Sequence, residues 1–198
     1  MGGEILKSPL YLGLIHYPIY NRNKEVVATA ITNFDIHDIA RAARTYDVSR
    51  YFVVHPAEKQ QELVQDMLDY WQKGFGSTYN PDRKNALSIL NLVDSLEKAK
   101  EMIREETGQE PLLVGTDAGE GPKRMSYIQF REAQSLPDSR PVLLLFGTGW
   151  GMTEELMDQL DVILEPIRGR GDFNHLSVRA AVAIILDRLL GETWWENS

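Results

Sequence analysis

The sequence predicts one α/β domain over residues 1–198, a mainly parallel sheet with helices on both faces, and three observations carry that reading. Short apolar runs alternate along the chain with longer stretches whose apolar residues recur at helical spacing. That order is expected when strand–helix–strand units build a parallel sheet. Several of the runs end in Gly, Pro or small polar residues that open the next helix. A composition of 43% hydrophobic and 25% charged residues over 198 positions suits one ordinary globular unit. No internal repeat, low-complexity tract or linker interrupts it.

Leu10 to Ile15 is an apolar run that ends at His16, Tyr17 and Pro18, which makes it a buried first strand. Tyr20 to Lys24 is a polar turn, and Val26 to Ile31 reads as a second extended segment. Asn33 or Asp35 caps a helix whose apolar positions are Ile36, Ile39, Ala40 and Ala43. Tyr51 to Val54 is a strand closed by His55 and Pro56. Leu63, Val64, Met67, Leu68 and Trp71 then mark one face of a helix. Lys73 to Arg83, rich in Gly, Ser, Thr, Asn and Pro, reads as a loop before a short strand at Ile89 to Val93. Asp94 with Glu97 suggests a capping box for the helix carrying Leu96, Ala99 and Ile103, which Gly108 stops. Leu112 to Gly115 is a strand, and a helix follows around Tyr127 to Ala133. Val142 to Phe146 is a strand that leads to a helix at Thr153 to Leu160, and the strand from Val162 precedes a long apolar helix to Leu189.

The net charge of −8 argues against a protein that grips nucleic acid through a broad basic face, since phosphate binding draws on Lys and Arg. An RNA role therefore needs a local basic patch or a second subunit. Zero cysteines exclude disulfides, thiolate zinc sites and cysteine nucleophiles. No run approaches the roughly 18 apolar residues of a membrane span, and the N-terminus lacks an export pattern. The expectation is a cytoplasmic protein away from membranes. No histidine pair stands at metal-ligand spacing, so no metal is expected.

Two glycine-rich loops concentrate the chemistry. Gly147-Thr148-Gly149-Trp150-Gly151 follows one apolar strand, and Glu165-Pro166-Ile167-Arg168-Gly169 follows the next. Both expose backbone amides and carbonyls at a strand's carboxyl edge, where adenosine-bearing ligands are held. One reading is a dinucleotide site with Glu165 as the ribose carboxylate. Against it, the third glycine of that fingerprint falls at Met152, and the motif lies near the end of the chain rather than the start. An ordinary tight turn is the bland alternative, although so many small residues exceed what a turn requires.

Asn33-Phe34-Asp35-Ile36-His37-Asp38-Ile39-Ala40-Arg41-Ala42-Ala43-Arg44 with the strand Tyr51 to Val54, the strand and loop Leu143 to Gly151, and the segment Ile163 to Leu189 occur in order. In that order and spacing they resemble the three motifs of the SPOUT superfamily of S-adenosylmethionine-dependent RNA methyltransferases. Leu112 to Thr116 is similar to the family strand whose loop approaches the cofactor, so the resemblance covers roughly residues 30 to 190. It implies a C-terminal trefoil knot, S-adenosyl-L-methionine bent inside the knotted loops, a homodimer with shared active sites, and RNA, with tRNA favoured, as substrate.

The resemblance also distributes roles. Thr116, Gly147, Thr148, Gly149, Gly151, Pro166, Ile167, Gly169, Leu176, Ser177 and Val178 would hold the cofactor. Arg41 matches the first-motif arginine that, in the ribose 2′-O-methylating branch, serves the hydroxyl or a phosphate. Gly171-Asp172-Phe173 is similar to a Gly-Asp-Tyr segment of the bacterial tRNA guanine-N1 methyltransferases, in which the Asp acts as general base. His175-Leu176-Ser177 departs from that branch, which has small residues and a Glu there. The methyl acceptor, a base nitrogen or a ribose hydroxyl, stays open. Asn33, Arg44, Arg168, Arg170 and Arg179 are the RNA-contact candidates, with plain helix-end and surface-charge roles as their alternatives.

Overall fold

The computed structural model describes residues 6–119, 121, 124–171 and 173–192. The chain opens with β1 (Leu10–Ile15), followed by the short pair β2 (Ile19–Tyr20) and β3 (Val26–Val27), α1 (Asn33–Thr45), β4 (Arg50–Val54) and α2 (Glu58–Gln72). Next come α3 (Gly76–Tyr79), α4 (Pro81–Leu87), β5 (Leu90–Val93), α5 (Leu96–Thr107) and β6 (Leu112–Gly115). The remainder is β7 (Arg124–Met125), α6 (Tyr127–Gln134), β8 (Val142–Gly147), α7 (Glu154–Asp158), β9 (Val162–Leu164) and α8 (Val178–Leu190).

Among the described residues the main sheet runs β5-β4-β1-β8-β6-β9-β7, and each neighbouring pair is parallel. The expected parallel α/β architecture is therefore the observed one. β1 and β8 lie at its centre with apolar residues on both faces, which is why they read as unbroken apolar runs. Alternation along β1 divides the core. Leu10, Leu12 and Leu14 join Ile36, Ile39, Val182 and Ile185 on the face covered by α1 and α8. Tyr11 and Ile15 join Phe52, Ala99, Ile103 and Leu156 on the other face, with α5 and α7. Because the sheet is parallel, every strand ends at the same edge, and the loops after β1, β6, β8 and β9 gather there.

Local differences from the sequence reading have local causes. Thr32 caps α1, its Oγ1 accepting from the Asp35 amide at 3.2 Å and donating to Asp35 Oδ2 at 2.6 Å, so Asn33 is the first helical residue instead of the cap. Ser95 caps α5 and donates to Asp94 Oδ1 at 2.7 Å, so Asp94 supports the cap and does not provide it. The 73–83 stretch is not a loop throughout. Pro81 sits in the first turn of α4 behind an Asn80 cap, a position that needs no amide hydrogen. Only Val26 and Val27 of the Val26 to Ile31 run pair as a strand, and the helix expected over Thr153 to Leu160 is α7, capped by Thr153. β7 was not foreseen; two half-buried residues leave no periodicity to read.

Candidate active site

A cavity of about 1010 Å³ opens at the carboxyl edge of β1, β6, β8 and β9. Its walls are His16 and Tyr20 after β1, Thr29 and Asp35 around the start of α1, Thr116 to Gly119 after β6, and Phe146 to Met152 after β8. Glu165 and Ile167 after β9, Asn174 to Val178 before and at the start of α8, and Ala181 and Ile185 on α8 complete it. This volume lies at the upper end of the roughly 300–1,000 Å³ typical of small-molecule sites.

The β8 loop is tied down along its length. The Trp150 amide donates to Tyr20 O at 3.0 Å, the Tyr20 amide donates to Gly151 O at 2.9 Å, and Met152 bridges to Ile19. Gly149 makes this possible: its φ is +58°, and a Cβ there would stand 2.9 Å from Ile19 Cδ1 and 3.1 Å from Tyr20 O. Gly151 has φ +99° with nothing within 4 Å of its missing Cβ. Trp150 is exposed at the rim and is no part of the core.

Cross-links join the other walls. Thr116 Oγ1 donates to Leu145 O at 3.0 Å, and Asn174 Nδ2 donates to Ala118 O at 2.7 Å, fastening the approach to α8 onto the β6 loop. Tyr127 OH donates to Glu165 O at 2.9 Å, and burial raises the pKa of that phenol. Thr148 Oγ1 donates to Ile15 O at 2.9 Å and lies 2.6 Å from Thr29 Oγ1, which lies 2.9 Å from His16 Nδ1. Burial, then the neighbouring His55, push the His16 pKa down to about 4, against a smaller opposing pull from Asp35.

The structure brings most of the expected cofactor residues to this cavity. Thr116, Gly147, Thr148, Gly149, Gly151, Ile167, Leu176, Ser177 and Val178 line it; Pro166 is buried beside it, and Gly169 is exposed away from its walls. Among the described residues, Arg41 and the expected RNA residues are not part of the lining. Asn33, Arg41 and Arg44 are exposed on α1, where Arg44 donates to Asn85 Oδ1 at 3.2 Å and pairs with Asp47 at 3.4 Å. Arg168 and Arg170 are exposed on the loop after β9. Arg179 is drawn to Asp35 and Asp38 of α1. Asp172 lies outside the described residues. The sequence reading did not assign His16, Thr29, Asp35, Asn174 and Tyr127 to the site, although His16 carried a signal in following the first strand's carboxyl end directly.

The cavity suits a nucleoside-bearing methyl donor. Ile167, Leu176, Val178, Ala181 and Ile185 offer an apolar surface for a purine, Glu165 a carboxylate for ribose hydroxyls, and the glycine loop open backbone. A buried polar atom on this wall, His16 Nε2, has no hydrogen-bond partner among the described residues, as expected of a site built to meet a ligand.

A parallel α/β sheet with a cofactor-sized cleft at its carboxyl edge, closed by the start of the last helix, defines the class of α/β nucleotide-cofactor proteins to which SPOUT methylases belong. Residues 9–191 match the family model described as SAM-dependent RNA methyltransferase, and the chain belongs to that family. Its methyl donor is accordingly S-adenosylmethionine and its substrate class RNA. The dinucleotide reading of Gly147 to Gly151 is set aside. Over 185 residues the chain is 42% identical to an uncharacterized protein of Aquifex aeolicus, covering 93% of this chain and 90% of that one. It is 44% identical over 185 residues to a protein of Nitratidesulfovibrio vulgaris named tRNA (guanine-N(1)-)-methyltransferase. That match covers 93% of this chain and 43% of the relative, so the chain spans less than half its length. The fold is also that of the SpoU methyltransferase AviRb from Streptomyces viridochromogenes, solved with AdoMet, at a TM-score of 0.56 and 17% identity over 93% of this chain and 57% of that one. Among the described residues no helix is long and apolar enough to cross a membrane.

Proposed function

We propose that this chain, as one catalytic unit over residues 1–198, methylates a guanine base nitrogen of tRNA in the cytoplasm and works as a homodimer. The observation that carries the substrate is the 44% identity to a relative named for tRNA guanine-N1 methylation. The cleft supports the same reading, because its volume of about 1010 Å³ leaves room for a purine beside the cofactor.

When bound, S-adenosylmethionine supplies an electrophilic methyl group on a sulfonium. The chain's part is to position and to tune. Thr116, Gly147 to Gly151, Ile167 and Leu176 to Val178 would hold the donor, with Pro166 and Gly169 shaping the loop behind them. Asp172 would take the guanine N1 proton as the nitrogen becomes a nucleophile. Arg41, exposed on α1, would serve the partner subunit's site. The exposed apolar side chains of Phe34 and Leu176, near the starts of α1 and α8, support pairing of two copies there. A dimer would also duplicate Asn33, Arg44, Arg168 and Arg170 into a local track for RNA on an acidic chain, while Arg179 is held by Asp35 and Asp38 of its own chain. A C-terminal knot belongs to the same reading, with the Asn174–Ala118 hydrogen bond tying the approach to α8 onto the β6 loop.

The test is transfer of labelled methyl from S-adenosylmethionine to unmodified tRNA transcripts, followed by nucleoside mass spectrometry. We expect 1-methylguanosine, lost in Asp172→Ala and Arg41→Ala while S-adenosylhomocysteine binding persists. A 2′-O-methylated nucleoside as the product would overturn the base-nitrogen assignment, and no transfer to tRNA alongside transfer to ribosomal RNA would overturn the substrate.

A further inference from the structure

His16 is the first residue after β1, is 1% exposed, and lies on the wall of the cleft. Its hydrogen-bond chain fixes where its proton sits. Ile15 O can only accept, so the single hydroxyl hydrogen of Thr148, 2.9 Å away, is committed to it. Thr29 Oγ1, 2.6 Å from Thr148 Oγ1, must then be the donor of that pair. With its own hydrogen used, Thr29 Oγ1 can only accept from His16 Nδ1, 2.9 Å away. The proton of the neutral ring therefore sits on Nδ1, and Nε2 carries a lone pair. That Nε2 is buried and has no partner among the described residues.

The neighbouring groups do not fill the gap. His55, whose ring centre is 5.9 Å from that of His16, accepts from the Ala57 amide at Nδ1 and so donates from Nε2 to Thr29 O, leaving neither nitrogen to spare. Asp35, the other charged group acting on His16, accepts from Thr32 and faces Arg179. Burial keeps the His16 ring neutral, with a pKa near 4. A base so weak is poorly matched to removing a proton at neutral pH, but its lone pair remains a good acceptor.

We propose that His16 is a ligand-binding residue of this cleft, its Nε2 accepting a hydrogen bond from an N–H donor of the bound methyl donor or of the target base, with the Thr29–Thr148 relay holding the tautomer that makes this possible. The inference rests on the cleft being the methylation site. Both sources present the required chemistry, the cofactor through its ammonium and adenine amino groups and a guanine through its N1–H and amino group.

The chain has four histidines, so imidazole ¹⁵N spectra of the labelled full-length protein are simple enough to assign. The free protein should show His16 with a protonated Nδ1 and a bare Nε2. S-adenosylhomocysteine is then added, followed by a tRNA transcript, with calorimetry in parallel. An Nε2 shift at the first addition identifies the cofactor as the donor, and a shift only at the second identifies the base. A free-state proton on Nε2, or an Nε2 signal unmoved by both bound ligands, overturns the proposal. Failure of the wild-type protein to bind S-adenosylhomocysteine at all would instead overturn the cofactor reading beneath it. Thr29→Val, nearly isosteric, keeps the core intact while removing the relay. It should release the tautomer and weaken the identified ligand about tenfold, while the lost buried hydrogen bonds lower the melting temperature by only a few degrees and leave the protein folded. Unchanged affinity for both ligands would count against the relay.

Discussion

Arg179 on α8 faces Asp35 on α1 across the rim of the cleft, its Nε 3.8 Å from Asp35 Oδ1, while its Nη1 is 3.5 Å from Asp38 Oδ2 and its guanidinium 5.2 Å from the Phe34 ring centre. An arginine expected to meet RNA is thus engaged within its own chain, clamping the starts of two helices. Both partners of the Asp35 pair are largely shielded, with side chains 34% and 13% exposed, but the long separation limits the gain. Arg179→Ala should lower stability by about 1 kcal/mol in urea unfolding. It should leave the salt dependence of RNA binding nearly unchanged. A tenfold loss of RNA affinity at unaltered stability would make it a phosphate ligand instead.

The two left-handed glycines of the β8 loop should respond differently to a methyl group. At Gly149 the added Cβ meets Ile19 Cδ1 and Tyr20 O, and the backbone sits at φ +58°. At Gly151 the backbone is strained for an L residue, but the space is open. Gly149→Ala should therefore destabilise by about 2–3 kcal/mol and Gly151→Ala by about 1 kcal/mol. Thermal unfolding measures both. Equal losses would mean that the contact with β2 is not what restricts the loop.

The buried His16 makes stability depend on pH. Its pKa falls from 6.5 to about 4 on folding, so below pH 6.5 the unfolded chain binds the proton that the folded chain refuses. The contribution is fully present above about pH 7 and is lost as pH falls toward 4, by about 2 kcal/mol at pH 5. His55, lowered mainly by burial, acts in the same direction. Urea midpoints at pH 7.5 and 5 should show this loss in the wild-type protein and a smaller one in His16→Gln. An identical pH response in the variant would place the titration elsewhere.

The fold was legible because its signals are local and strong. β1 and β8, buried on both faces, read as unbroken apolar runs, and α1 and α8 carry their core residues at helical spacing. The glycine loops were legible because small residues after a strand have few other uses. What was not legible depends on tertiary partners. Asp94 and Ser95 are both acceptable caps, and only the backbone geometry chooses Ser95. Thr29 has no signature at all; its role exists because the turn after β3 lays it between His16 and Thr148, which are 132 positions apart in the chain. Arg179 reads as free charge until α1 supplies two carboxylates.

Glu165 is held at both of its main-chain groups, its amide donating to Met125 O at 2.9 Å and its carbonyl accepting from Tyr127 OH at 2.9 Å. The unforeseen strand β7 and the first residue of α6 thereby fix where β9 ends and where the Glu165 side chain meets the cleft wall. Tyr127 is nearly buried, so Tyr127→Phe removes the donor with little change of volume and should cost about 1 kcal/mol in stability. Because the loop behind the carboxylate loosens, S-adenosylhomocysteine should bind severalfold more weakly, while the KM for RNA stays near its wild-type value. Glu165→Gln keeps both main-chain bonds and removes only the charge. It should match wild-type stability and lose more cofactor affinity than Tyr127→Phe, if the carboxylate meets ribose hydroxyls. Calorimetry on the two variants separates these effects: a Glu165→Gln protein that binds as tightly as wild type would leave Glu165 a backbone anchor with no part in holding the cofactor.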